Sequence, residues 1–216
     1  AVATLAVVLS TGFGTFHVVQ LKHEQARAQR IGSAFRDVLR GFDPSAVTKN
    51  PITVRDLLDQ AAEKAGEQLK DEPLVRGAVL GTLGTSYASL GELDRAEKLL
   101  REAVALLAKA PAAERSDGLN DLATLLIRQS KLAEAEPLLR EAIDLRSRTS
   151  GRMCAENATP IGNLALVRQG LGDFRDAASL LEEVLAIQQE TEPKGFGILG
   201  TRNKLANLLI AGGGAY

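Results

Sequence analysis

A chain of 216 residues that is 45% hydrophobic but only 4% aromatic suits Ala- and Leu-rich helices rather than a sheet sandwich. Its formal net charge of −1 offers no basic face for a phosphate backbone, so nucleic acid is not expected as a partner. Cys154 is the single cysteine, which leaves no intramolecular disulfide and no cysteine-based metal cluster. The two histidines, His17 and His23, have no carboxylate or cysteine at ligand spacing, and neither a metal nor a cofactor is expected.

In chain order, the first element is "AVATLAVVLSTGFGTFHVVQL", residues 1–21, which contains no Asp, Glu, Lys or Arg. As a helix it would extend roughly 30 Å, the thickness of a bilayer core, and a single-pass transmembrane helix is expected here. Residues 22–42 follow as a juxtamembrane amphipathic helix with Ile31, Phe35, Val38 and Leu39 on one stripe. Lys22, Arg27, Arg30, Arg36 and Arg40 lie in the same segment, and such residues favour the cytoplasmic side, although one flank alone does not orient a span. "DPSAVTKNP" supplies turn chemistry for a linker over 43–52. A new helix opens at Thr53, with Asp56 three residues on to complete a cap, and residues 53–70 form a capping helix.

From residue 71 to 216 the chain repeats itself. "LGTLGTSYASLGELDRAEKLLREA" from Leu80 returns at Leu119 and Ile161, and a partial copy closes the chain. Leu83, Leu122, Leu164 and Leu205 share one slot, each followed by a small residue, Gly84, Ala123, Ala165 and Ala206. The copies are spaced 39, 42 and 41 residues apart, a period that marks a solenoid. Ala96, Ala135 and Ala177 occupy a second small slot, and Ala103, Ala142 and Val184 a third. Small residues stand where two helices of one unit approach closely, and large apolar ones fill the space between units.

With Leu80, Leu83, Gly84, Tyr87, Ala96, Leu100 and Ala103 in register, the pattern resembles the tetratricopeptide repeat. Its longer period and phrases such as "AEAEPLLREAIDLR" look more like the kinesin-light-chain type. The resemblance implies an all-α fold, a tetratricopeptide-type helical-hairpin solenoid with three repeats and a truncated fourth, preceded here by the transmembrane and juxtamembrane helices. It also implies that the first helix of each unit lines a concave groove for a protein or peptide. The candidate groove residues are then Asn120, Thr124, Arg128, Gln169, Asn203 and Asn207, with Gly162 in the third copy. Amides can hold an extended backbone and arginine can take a carboxylate; the bland alternative is that these are solvated, or stitch adjacent units.

A second resemblance concerns the order of parts. A span, a basic helix, "VRDLLDQAAEK" and then the repeats look like the region after the kinase domain in bacterial membrane-anchored serine/threonine kinases. This implies a noncatalytic sensor module with the array outside the cytoplasm; a scaffold without any linked enzyme is the alternative. No kinase motif occurs in the chain itself. Because the chain begins at Ala1 and stops in the turn of its fourth repeat, a fragment is expected, with self-association through uncapped repeats as a possible partner mode.

Several local patterns carry less. "GFGILG", Gly195 to Gly200, satisfies a dinucleotide-type spacing but follows a helical segment, so it reads as a loop between repeats. Asn157-Ala158-Thr159 is an N-x-T triplet, common by chance. Glu97, Glu102, Glu134, Glu136, Glu182 and Glu183 read as a solvated face with i,i+4 pairs.

Overall fold

The structure is a computed structural model that describes Gln29, Gly32, residues 53–195 and residues 197–212. The expected span at 1–21, the linker at 43–52 and nearly all of the juxtamembrane helix lie outside the described residues; Gln29 and Gly32 are helical. Among the described residues there is no strand, and no helix is long and apolar enough to cross a membrane. The chain divides into two compact units, residues 1–75 and 76–216.

In the first unit, helix α1 spans Val54–Gln68. Thr53 Oγ1 accepts from the Asp56 backbone at 3.2 Å, and Asp56 Oδ2 accepts from the Thr53 backbone at 2.9 Å. This reciprocal arrangement satisfies two amides that the helix start leaves without partners. The Thr53 backbone amide, and then the Thr53 hydroxyl donating to the same Oδ2 at 2.7 Å, hold the Asp56 carboxyl below its ordinary value.

The second unit contains three helical hairpins and a following helix. The pairs are α2 (Pro73–Ser89, its first three residues falling in the first unit) with α3 (Leu93–Leu106), α4 (Ala112–Arg128) with α5 (Leu132–Ser150), and α6 (Ala158–Gly170) with α7 (Phe174–Thr191). Helix α8 spans Gly197–Ala211.

The three hairpin turns share one geometry. Glu92 N donates to Tyr87 O at 3.0 Å, Lys131 N to Leu126 O at 2.8 Å, and Asp173 N to Arg168 O at 2.9 Å. In each, the preceding residue donates to the carbonyl three back, the paired bonds of a Schellman ending, and this needs a left-handed residue. Gly91 and Gly172 supply it at φ +82° and +86°, whereas in the middle turn Ser130 is forced to φ 61°.

Hairpins close on small residues. Ala96, Ala135 and Ala177 have no exposed surface, and Leu100, Leu139 and Leu181 are buried with them. Tyr87, Ala103 and Ala142 are also buried. Leu83, Leu122 and Leu164 are buried together with Gly84, Ala123 and Ala165. At Gly84 the helices approach so closely that a Cβ would lie 2.7 Å from Leu100 Cγ. In the fourth copy Leu205 is half-buried and Ala206 exposed. The reason is geometric: this slot is covered by the second helix of its own hairpin, and α8 is followed by none among the described residues.

The carboxylates are in part the expected solvated face, with Glu134 and Glu182 exposed, but most of their pairing runs across helices. Glu102, Glu141 and Glu183, equivalent by repeat, pair with Arg76, with Arg115 at 2.6 Å, and with Arg152 at 2.6 Å. Glu97 takes Lys131 at 2.7 Å, Glu134 takes Arg101 at 2.6 Å, and Glu136 takes Arg168 at 3.3 Å, each across helices. Only part of the charge is i,i+4, as in Arg101 with Glu97 and Arg140 with Glu136. Sequence spacing reveals neighbours on one helix, while these partners are brought together by hairpin packing. Asn157 is fully buried, and its amide donates to Ser147 Oγ at 3.1 Å and to Arg152 O at 3.0 Å. It therefore ties down the loop before α6 and is not an accessible glycosylation acceptor.

Candidate peptide groove

The candidate groove is built from the first helices α2, α4, α6 and α8. Their Leu and small residues turn inward, so the intervening slots on the same helices face outward. Thr124, Arg128, Gln169, Asn203 and Asn207 are exposed, and Asn120 is half-buried.

The structure brings two of these together. Asn163 Nδ2 on α6 donates to Asn120 Oδ1 at 2.9 Å and to Thr124 Oγ1 at 3.1 Å on α4. Asn120 thus stitches adjacent repeats, the bland alternative for that residue. Asn163 itself was not legible as a site residue: it stands one slot before Leu164, where the preceding copy has Asp121. A polar residue recurring beside the core leucine was the available signal. Gln169, Asn203 and Asn207 stand apart from this cluster, on α6 and α8.

Between α2 and α4 lies a cavity of about 180 Å³, bordered by Thr85, Ser89, Asp121, Thr124 and Arg128, with Leu100 of α3 also lining it. The hydroxyl protons here are already committed. Thr85 Oγ1 donates to Thr82 O at 2.9 Å, Ser89 Oγ to Thr85 O at 3.0 Å, and Thr124 Oγ1 to Asn120 O at 2.8 Å. Burial pushes the Asp121 carboxyl up to about 6, and the neighbouring Asp117 carboxylate adds to the effect. Asp117 is paired with Arg146; among the described residues Asp121 has no such partner.

A larger cavity of about 310 Å³ lies toward the second helices, lined by Arg140, Asp144, Arg152, Leu164 and Asp176 among others. Its charges are spoken for: Arg140 by Glu136, Arg152 by Glu183, Asp176 by Arg168 at 2.5 Å, and Asp144 by Arg148 at 3.3 Å. It is a gap in packing with its electrostatics closed. The described helix before Gly195 is α7, which ends at Thr191, and Gly197 to Gly200 open helix α8; no strand among the described residues precedes the glycines, which removes the context a dinucleotide loop requires. Among the described residues no group of three His, Cys, Asp or Glu could hold a metal ion.

The sequence matches the tetratricopeptide repeat family over residues 77–110 and again over residues 114–190. Among solved structures it is similar to BtubC (BKLC) from P. vanneervenii, with a TM-score of 0.65 and 23% identity, covering 74% of this chain and 65% of that one. It is also similar to the nearly identical TPR-like repeats of a protein assigned as a kinesin light chain from Podosopora anserina. There the TM-score is 0.63 and the identity 25%, over 91% of this chain and 87% of that one. A second structure of those repeats gives a TM-score of 0.65 and 24% identity, over 89% of each chain. No curated protein matches the chain. Residues 77–110 and 114–190 are therefore tetratricopeptide repeats, arranged in an all-helical solenoid whose structural neighbours include kinesin-light-chain-like arrays.

Proposed function

We propose that this chain is a noncatalytic interaction module whose concave groove holds an extended segment of a protein partner. Tetratricopeptide repeats act as protein–protein interaction scaffolds, and the observation supporting a groove in this chain is the division of labour on its first helices. Leu83, Leu122 and Leu164 are buried with their small neighbours, while Thr124, Arg128, Gln169, Asn203 and Asn207 are exposed. A variant combining Arg128→Ala, Gln169→Ala and Asn207→Ala tests it, Asn120 being left intact because it joins repeats. In a pull-down from a proteome, loss of specific capture by the folded variant is expected; undiminished capture places the binding surface elsewhere.

The wider setting is part of the same proposal. The uncharged run at 1–21 and the order of parts that follows it support an array beside a single-pass membrane helix, outside the cytoplasm and downstream of a serine/threonine kinase domain. Expressed with its upstream flank, the protein is expected to resist alkaline carbonate extraction from membranes, and the upstream reading frame is expected to encode a kinase. A soluble product with a short Met-led leader would favour the scaffold reading instead. Self-association through α8, where Leu199 and Ile210 are exposed, is checked by sedimentation velocity.

A further inference from the structure

We propose that the α2–α4 cavity is a subsite for a lysine side chain of the bound segment, and that Arg128 takes a carboxylate three residues along the same segment. This rests on the groove reading above and adds the chemistry of the partner.

The argument begins with donors and acceptors. Thr85, Ser89 and Thr124 have each donated their hydroxyl proton to a carbonyl of their own helix; Thr124 Oγ1 already accepts from Asn163 Nδ2, so toward the cavity it is Thr85 and Ser89 that present unused lone pairs. Asp121 adds an ionisable carboxylate that no described residue pairs. Apart from Arg128 at its border, this end of the groove presents acceptors, and a half-buried carboxylate without a partner is costly. An ammonium supplies three rotatable donors and matches scattered acceptors; a guanidinium, with its planar fork, suits a single bidentate partner. Ala88, Leu100 and Leu125 line the same cavity and offer apolar surface to a methylene stem. At about 30 Å³ for a water-sized group, the volume of about 180 Å³ accommodates the five heavy atoms of a lysine side chain.

Arg128 is the opposite case, five donors and no acceptor, exposed at the border of the same cavity. It lies seven residues beyond Asp121 on α4, roughly 10 Å along the axis. A polyproline-type extended chain returns the same face every third residue after about 9 Å, so one such segment addresses both groups with Lys-x-x-Asp or Lys-x-x-Glu. Burial has raised the Asp121 carboxyl to about 6, and an ammonium beside it would drive that value back down.

The test is selection of a phage-displayed random dodecapeptide library on the 216-residue chain, with Asp121→Asn and Arg128→Ala variants in parallel. Enrichment of a lysine followed three residues later by an acid is expected. Synthetic peptides carrying that pair should lose about ten- to hundredfold in affinity to Asp121→Asn. Replacing their lysine by norleucine should produce the same loss on the wild type and little further loss on the variant. Enriched peptides without lysine, or equal affinity for Asp121→Asn, overturn the subsite while leaving the groove reading standing. If no peptide is enriched, or if Thr124→Arg and Leu166→Arg on the exposed faces of α4 and α6 leave capture unchanged, the groove reading falls and takes the subsite with it.

Discussion

Replacing Asp121 by Asn is expected to make the protein more stable, an unusual outcome for a substitution at a half-buried position. The carboxyl titrates at about 6 in the folded chain against an ordinary 3.8, raised first by burial and then by Asp117. A group whose folded value is raised binds its proton more tightly when folded, so stability falls as pH rises from about 3.8 to about 6. Above pH 6 the full penalty is present. A rise from 3.8 to about 6 corresponds to about 3 kcal/mol. Asparagine keeps the shape and removes the charge, at the expense of burying an amide, so a net gain of about 1–3 kcal/mol is expected at pH 7.5. In a domain of this size each kcal/mol raises Tm by about 2–4 °C. Thermal melts followed by circular dichroism at pH 7.5 and pH 4 decide the matter. The variant should melt several degrees higher at pH 7.5, and the difference should close at pH 4, where the wild-type carboxyl is protonated. No gain at pH 7.5, or a gain that persists unchanged at pH 4, refutes the account of Asp121 as an unpaired, half-buried acid. Arg128, two turns along α4 on the same cavity, and Arg146, paired with Asp117, are cations of this region, and neither is paired with Asp121.

Three further outcomes follow from the packing. Ser130→Gly should raise stability by about 0.5–1 kcal/mol, because relief of left-handed strain of about 1–2 kcal/mol is partly offset by the greater freedom of unfolded glycine; an unchanged or lower Tm would show that the turn is not strained. Ala135→Leu should lower stability by about 1–3 kcal/mol by overpacking the α4–α5 hairpin, and a melt indistinguishable from wild type would remove Ala135 from the close contact. Glu97 is held down to about 2 from an ordinary 4.5, first by Lys131 and then by Arg101 and Gln129, so its contribution is complete above pH 4.5 and is lost as pH falls toward 2. Lys131→Met should move the acid unfolding midpoint upward in a circular dichroism titration, and an unmoved midpoint would mean that the pair contributes nothing to acid stability.

What this sequence determines by itself is whatever repeats along one dimension. The Leu–small pairs at 83, 122 and 164 and the alanines at 96, 135 and 177 recur at fixed offsets, and periodicity of that kind has one efficient solution, a stack of helical hairpins in which each unit buries its face on the next. The cap of Thr53 and Asp56 is legible for the same reason, since it is complete within four residues. Tertiary structure decided what depends on distance across helices. Asn120 was a candidate for binding a partner until packing brought Asn163 within 2.9 Å of it. Much of the acidic face became ion pairs within and between hairpins: Glu97 and Lys131, for example, are 34 residues apart in the chain but 2.7 Å apart in space. Asp121 was not singled out from the sequence at all; packing places it half-buried on the cavity that α2 and α4 line together and gives it no ion-pair partner among the described residues, because desolvation is a property of neighbours that local sequence does not name.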